Sequence, residues 1–339
     1  MEIRFKRIAV LGSNSFTGSS FINYALEKTG AEIIGISRSA EYDPIFLPYL
    51  YKKERPKRFE FYKLDLNNEL GPIIKLLDKF KPEVIVNYAA QGEVRNSWKW
   101  PEQWFMTNCV AIVKFSNALK DKEYLRRYVS ISTPEVYGSA GKNIAENFSF
   151  RPSTPYAASK LAGDLFLMSL FKKDNFPVVF TRSSNVYGMH QQLYRIIPRT
   201  IIYLKLGKKI ELHGGGKSIR SFVHVKDVVD ATLRIINGGK NGDVYHISDT
   251  SKQNEAFSIK ELVNMICGMM GYNFEKSVKI TKENFGQDYA YSLDSSKIRK
   301  ELGCNPTISI REGIKETINW IEENWERIKE QPLEYVHKN

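Results

Sequence analysis

The chain has 339 residues, with 50 Lys and Arg against 38 Asp and Glu (formal net charge +12), 42% hydrophobic and 26% charged residues. This length provides core for one large or two ordinary domains, so no disulfide or structural metal is required to hold it together. The positive charge is dispersed in short groups such as Lys52-Lys53, Arg126-Arg127, Lys172-Lys173 and Lys208-Lys209 rather than gathered in a stripe, which argues against nucleic acid, and no apolar run approaches membrane-spanning length.

Cys109, Cys267 and Cys304 are scattered without CxxC spacing, so neither a disulfide framework nor a metal site is expected. The first residues run straight into an apolar strand without the pattern of a secretory signal, and the expected compartment is the cytoplasm.

Short β-branched runs at 8–11, 33–36, 84–88, 128–131 and 178–181 alternate with helical periodicity at 19–28, 71–80, 102–120 and 156–171. This βαβα order predicts an α/β fold with a doubly wound parallel sheet and a ligand at the carboxyl ends of its strands. After Tyr187 the alternation breaks into a helix over 194–206, a loop at Gly214-Gly215-Gly216 and a helix over 310–329, read as a smaller lid.

The first strand leads into Gly12-Ser13-Asn14-Ser15-Phe16-Thr17-Gly18 and then a helix. Glycines there allow a tight turn and close backbone approach, so a dinucleotide pyrophosphate can sit on the helix N-terminus. Gly12, Ser15, Phe16, Thr17 and Gly18 are the expected contacts. Ser15 replaces the usual middle glycine, so its side chain must point away from the phosphates or the turn must be wider.

The second strand ends in Ser37-Arg38-Ser39, with no carboxylate for a ribose 2′-hydroxyl. An arginine flanked by serines accommodates a 2′-phosphate, so NADP is expected, with NAD as the alternative. Asp65 and Leu66, after the third strand-like run, are placed to meet adenine; a structural cap is the competing role for Asp65.

Tyr156 and Lys160 stand four residues apart on a helix, on one face. An adjacent ammonium lowers a phenol's pKa and equips it to take a proton from an alcohol. Ser132-Thr133-Pro134-Glu135 precedes them. Five histidines and no paired serine nucleophile give hydrolase chemistry no support.

Together with Ala89-Ala90-Gln91, Thr107-Asn108 and Arg182-Ser183-Ser184-Asn185-Val186-Tyr187-Gly188, these motifs resemble the extended short-chain dehydrogenase/reductases acting on nucleotide sugars. Thr133-Pro134-Glu135-Val136-Tyr137-Gly138 is similar to the glutamate-bearing segment of the nucleotide-hexose 4,6-dehydratases, as are Gly286-Gln287-Asp288 and the residues that follow. The resemblance implies a Rossmann-type domain over 1–188 with a return segment near 222–248. A nucleotide-sugar-binding domain takes 189–221 and 249–339.

It further implies that Thr133, Glu135, Tyr156 and Lys160 are catalytic, and that Ala89, Ala90, Gln91 and Asn108 join Tyr156 and Lys160 on a tightly held, recycled cofactor. Glu93, Arg95, Asn185, Pro198, Arg199, Arg220 and Asp288, with Thr133, would meet an NDP-sugar. His224 and Asp227 read as packing and helix-start residues.

The implied reaction oxidises carbon 4, eliminates water across carbons 5 and 6 and returns hydride, giving a 4-keto-6-deoxy sugar. The chain departs from the family pattern at Pro134, which has no side-chain donor for the leaving hydroxyl, and at Glu93, where histidine is common. A 4-epimerase, an NDP-uronate decarboxylase and a non-catalytic nucleotide-binding scaffold are the alternatives. The resemblance also implies a homodimer through the helices at 102–120 and 156–171, with Phe166 and Leu170 among the apolar candidates.

Overall fold

The computed structural model describes residues 4–139, 141–249, 256–282 and 290–337. Seven strands, β1 (Arg7–Leu11), β2 (Glu32–Ser37), β3 (Phe59–Lys63), β4 (Val84–Asn87), β5 (Arg127–Ile131), β6 (Val178–Ser183) and β7 (Val244–Ile247), form one sheet. Its order is β7-β6-β5-β4-β1-β2-β3, with every pairing parallel. The strands are apolar on both faces because helices cover both: all four residues of β4 are buried. The order reverses between β1 and β4, the crevice where such sheets bind ligands.

Besides a single turn at Phe274–Ser277, the α-helices among the described residues are α1 (Phe16–Lys28), α2 (Leu70–Phe80), α3 (Pro101–Phe105), α4 (Ala111–Leu119), α5 (Pro155–Asp174), α6 (Ile196–Lys205), α7 (Val225–Gly238), α8 (Ile259–Met269), α9 (Ser296–Leu302), α10 (Ile310–Glu323) and α11 (Trp325–Ile328). Phe21 and Ile22 of α1 pack with Val228 and Leu233 of α7 on one sheet face. Leu77 of α2, Phe115 of α4 and Leu167 of α5 fill the other. A third core joins α6, α8 and α10 through Ile197, Ile201, Leu262, Ile266, Ile314 and Trp320. Ile219–Arg220 lies in a separate four-stranded sheet between Phe257–Ser258 and Ala290–Leu293.

Two predicted helices are interrupted. The one over 102–120 contains a π turn, Met106–Val110, between α3 and α4. The wider turn accommodates Asn108, which is buried and bonded inward, and α5 packs against it through Gly163, where a Cβ would lie 2.4 Å from the Asn108 carbonyl oxygen. The predicted 310–329 helix breaks at Asn324, whose amide donates to the Trp320 carbonyl and the Tyr51 hydroxyl.

On α5, Leu170 is buried in the sheet-face core and Phe166 packs against it, whereas Leu165 is exposed. His224 caps α7 by accepting from the Lys226 N–H, and Asp227 accepts from the Thr307 N–H and hydroxyl and from the Ile308 N–H. Both therefore hold helix start and packing, as read from sequence.

Candidate active site

The glycine turn joins β1 to α1 at the reversal of strand order. Gly12 has φ +71°, and a Cβ there would sit 2.6 Å from the Tyr88 carbonyl carbon and the Ala89 nitrogen, so only glycine fits. A Cβ at Gly18 would lie 2.5 Å from the Gly12 oxygen. Ser15, in the extended region at φ −69°, has no need of a glycine: it is the N-cap of α1, its Oγ accepting from the Gly18 N–H. This is how the turn dispenses with the middle glycine. Phe16 and Thr17 open the helix, whose positive end fits a pyrophosphate.

Ser37 Oγ accepts from the Asn14 N–H at 3.1 Å and lies 3.3 Å from Ser13 Oγ, while the Asn14 amide donates to the Ser39 and Ala40 carbonyls. Ser37 thus ties the end of β2 to the glycine turn. Arg38 is half-buried beside it. Asp65 accepts from the Asn67 N–H and the Asn68 amide, the capping role weighed against an adenine contact; Leu66 is buried in the sheet-face core.

Ala89 and Ala90 follow β4. Asn108 clamps the next residue twice, accepting from the Gln91 N–H and donating to the Gln91 carbonyl, and donates also to Ser159 Oγ. Asn108 therefore shapes the strand end beside Tyr156 from within the protein.

The catalytic candidates converge where β5 ends beside α5. Thr133 caps a 3-10 turn, Pro134–Tyr137, by accepting from the Glu135 N–H. Pro134 occupies the first position of that turn, where a ring that fixes φ and lacks an N–H costs nothing. The turn carries Glu135 to Tyr156, whose phenol bonds the Thr133 hydroxyl and feels the Glu135 charge.

Lys160 differs from expectation. Its ammonium donates to the Ile131 carbonyl at 2.7 Å, and the Tyr156 phenol lies above its ordinary range, raised by burial and then by the Glu135 carboxylate, with Thr133 and Arg195 acting to lower it. Burial pushes the Lys160 ammonium below its usual value, opposed by the Asp164 carboxylate. Helical spacing put Tyr156 and Lys160 on one face, but it did not disclose a carbonyl within reach of the ammonium.

A buried polar chain lies behind these groups. Asp164 accepts from Ser132 Oγ and from Arg182 Nη2 at 3.1 Å; Arg182 Nη1 donates to the Tyr137 hydroxyl at 2.6 Å. The Tyr137 hydroxyl is 2.8 Å from His246 Nε2. His246 Nδ1 faces the Ile144 and Asp294 carbonyls, so Nδ1 carries the proton and Nε2 accepts.

The substrate-side candidates are less gathered. Glu93 accepts from the Asn96 N–H, capping a short turn, and Arg95 is exposed. Asn185 begins a short strand paired with Phe222–His224, and Arg220 donates to the Ile219 carbonyl. Pro198 is buried in the first turn of α6. Arg199 pairs with Glu334 at 3.3 Å and lies over the Tyr203 ring. Asp288 lies outside the described residues. Among those residues no His/Cys/Asp/Glu group could hold a metal ion.

Sequence reasoning passed over Arg195, which precedes α6 and acts on Tyr156. A cation at a helix N-terminus opposes the dipole, and that local conflict was the available signal.

A family model described as GDP-mannose 4,6 dehydratase matches residues 10–317. The chain is 31% identical to the human dTDP-D-glucose 4,6-dehydratase, over 96% of this chain and 92% of that protein. It is 28% identical to the dTDP-glucose 4,6-dehydratase of Haemophilus influenzae, over 92% and 97%. The Streptomyces venezuelae dTDP-glucose 4,6-dehydratase solved with NAD and TYD bound superposes with a TM-score of 0.87 at 28% identity, covering 97% of this chain and all of that one. With its glycine turn, its Thr133, Glu135 and Tyr156 cluster and nearly its whole length matched, the chain belongs to the GDP-mannose 4,6-dehydratase family.

Proposed function

We propose that the protein is an NDP-hexose 4,6-dehydratase. The observation that carries this reading is the approach of Glu135 to the Thr133–Tyr156 pair, because a simple alcohol dehydrogenase or a 4-epimerase has no use for a carboxylate there. A bound nicotinamide dinucleotide supplies the acceptor, and later the donor, of one hydride. Tyr156, oriented by Thr133, would take the 4-hydroxyl proton as its phenolate when hydride leaves carbon 4, an ionisation that the positive charge of a bound oxidised nicotinamide would favour against burial and the Glu135 charge. The resulting ketone acidifies the hydrogen on carbon 5, which Glu135 removes. Glu135 then carries a proton that it delivers to the departing 6-hydroxyl, so Pro134 need donate nothing. Hydride would return to carbon 6 and a solvent proton, relayed by the Glu135 carboxylate, would reach carbon 5 while Tyr156 releases the proton it took, so that one water is lost overall.

Asn185 and Arg220 suit the diphosphate, the latter through a planar fork of donors. The names of the relatives make dTDP-glucose the first substrate to test. Residues 189–221 and 249–339 are assigned to the nucleotide-sugar half. For the cofactor, the absence of a carboxylate at Ser37-Arg38-Ser39 favours NADP, whereas the neighbour solved with NAD favours NAD. A homodimer through α3 and α5 is supported by exposed Phe105, Met106 and Leu165.

The test is incubation of the purified protein with a panel of NDP-hexoses and no added cofactor, following product mass. Loss of one water from a single substrate supports the reading. Glu135→Gln should still oxidise carbon 4 but lose water at least about 10²-fold more slowly. An isobaric product or carbon dioxide release from the wild type would instead mean an epimerase or a decarboxylase.

A further inference from the structure

The segment after α11 runs along the surface with alternating burial: 333, 335 and 337 are half-buried, while 332, 334 and 336 are exposed. Leu333 packs on the core built around α6. Glu334 accepts from the Tyr203 hydroxyl at 3.0 Å and pairs with Arg199. Tyr335 meets the Tyr194 ring edge-on, with centroids 5.3 Å apart.

His337 has already reached the other half of the molecule. It stacks on Trp100 at 4.5 Å and Trp104 at 5.5 Å, both on or beside α3, with Nε2 2.7 Å from Gln103 Oε1. Between Glu334 and His337 the chain therefore crosses from α6 to α3. Ordering such a segment costs backbone entropy, and stacked rings at its far end offset that cost.

What lies under the crossing gives it meaning. The Tyr335 hydroxyl feels the charges of Glu93, Arg38 and Arg195. Arg38 follows β2 and Glu93 lies in the loop after β4, so these two rim the strand ends where the sheet binds its ligand, while Arg195 precedes α6 on the facing side of the crossing. Arg195 acts on Tyr156 as well, and lies over the Tyr194 ring at 5.1 Å. The Tyr335 hydroxyl lies 3.4 Å from His337 Nδ1, and the phenol, pushed up to about 12 chiefly by burial, stays protonated.

We infer that residues 333–337, held to α6 by Glu334, to Tyr194 just before it by Tyr335 and to α3 by His337, form a strap across the mouth of the ligand cleft that closes over a bound nicotinamide dinucleotide. The inference rests on the dinucleotide binding of the proposed function, not on the dehydration step. The strap keeps the cofactor in place through a cycle that regenerates it, and its opening limits release.

Two measurements test this. In stopped-flow fluorescence of reduced cofactor, Tyr335→Ala/His337→Ala should release the dinucleotide about tenfold faster with association little changed, and Tyr335→Phe, which keeps the ring, should fall between. In hydrogen exchange of the wild type, the cofactor alone should slow exchange across 333–337. Release rates within twofold of the wild type, or ligand-independent exchange of the segment, would overturn the inference; so would faster association with unchanged release, which would make the segment an obstruction. A protein that retains its cofactor through the strap yet removes no water from any NDP-hexose would refute the dehydratase reading alone.

Discussion

Replacing Arg182 by methionine removes the cation from the buried chain behind the candidate catalytic groups. Arg182 and Asp164 are 0% and 2% exposed and their closest N···O distance is 3.1 Å. At an effective dielectric of about 20, two unit charges at that distance attract by about 5 kcal/mol, most of which is consumed by desolvation in forming the pair. The single substitution does not recover that desolvation. Asp164 would keep only the Ser132 hydroxyl, and the Tyr137 hydroxyl would lose its charged donor.

The expected loss is about 3–5 kcal/mol, a large part of the roughly 5–15 kcal/mol a domain possesses. The companion variant Arg182→Met/Asp164→Leu removes both charges and should regain about 2 kcal/mol or more of the single-mutant loss. Urea denaturation of the wild type, both singles and the double variant measures this, provided the dependence on denaturant is common to all four. A single-mutant loss below about 1 kcal/mol, or a double variant whose loss equals the sum of the singles, would refute the reasoning. Because Ser132 adjoins Thr133, kcat should fall in Arg182→Met more than the KM for the sugar nucleotide rises.

Gly12→Ala should abolish cofactor binding and cost several kcal/mol, on the order of a core overpacking plus the positive-φ penalty, because its Cβ meets backbone at 2.6 Å; a variant that still co-purifies with cofactor would contradict this. Arg38→Ala should weaken NADP by about tenfold or more and leave NAD nearly unchanged, read by equilibrium titration with each; equal losses would remove the case for a 2′-phosphate.

Stability should also fall on mild acidification. His190 and His246 are held at about 4 and His224 at about 3, in each case chiefly by burial, against about 6.5 when unfolded. Their contribution is full above about pH 6.5 and is lost as pH falls through the folded values, at up to about 1.4 kcal/mol per unit for each. Half-buried Glu146 and buried Asp227, raised from the ordinary carboxylate value chiefly by desolvation, take up protons in the fold and oppose this lower down. The urea midpoint should therefore be clearly lower at pH 5.5 than at pH 7.5, and equal midpoints would show that the histidines charge freely.

Much of this architecture was legible in one dimension. Strands buried on both faces must be apolar without alternation, so the runs ending at Leu11, Ile36 and Ile131 stood out. The glycine turn was readable because φ +71° at Gly12 excludes a side chain. Tyr156 and Lys160 stand out by their helical spacing, and Thr133 and Glu135 by the family motif that carries them. These features are local: their physical cause lies within one turn, one strand or one helical face.

What tertiary structure alone decided is the set of partners. Lys160 bonds the Ile131 carbonyl, twenty-nine residues away in sequence, because α5 packs on the end of β5. Asn108 bulges into a π turn because Gly163 brings α5 against it and Gln91 offers both backbone groups. Asp164 finds Arg182, and His337 finds Gln103 across 234 positions, only when packing brings distant elements together. Residue type and spacing record what a side chain can do, whereas the group it does it to is set by close packing of the whole chain, which no local pattern encodes.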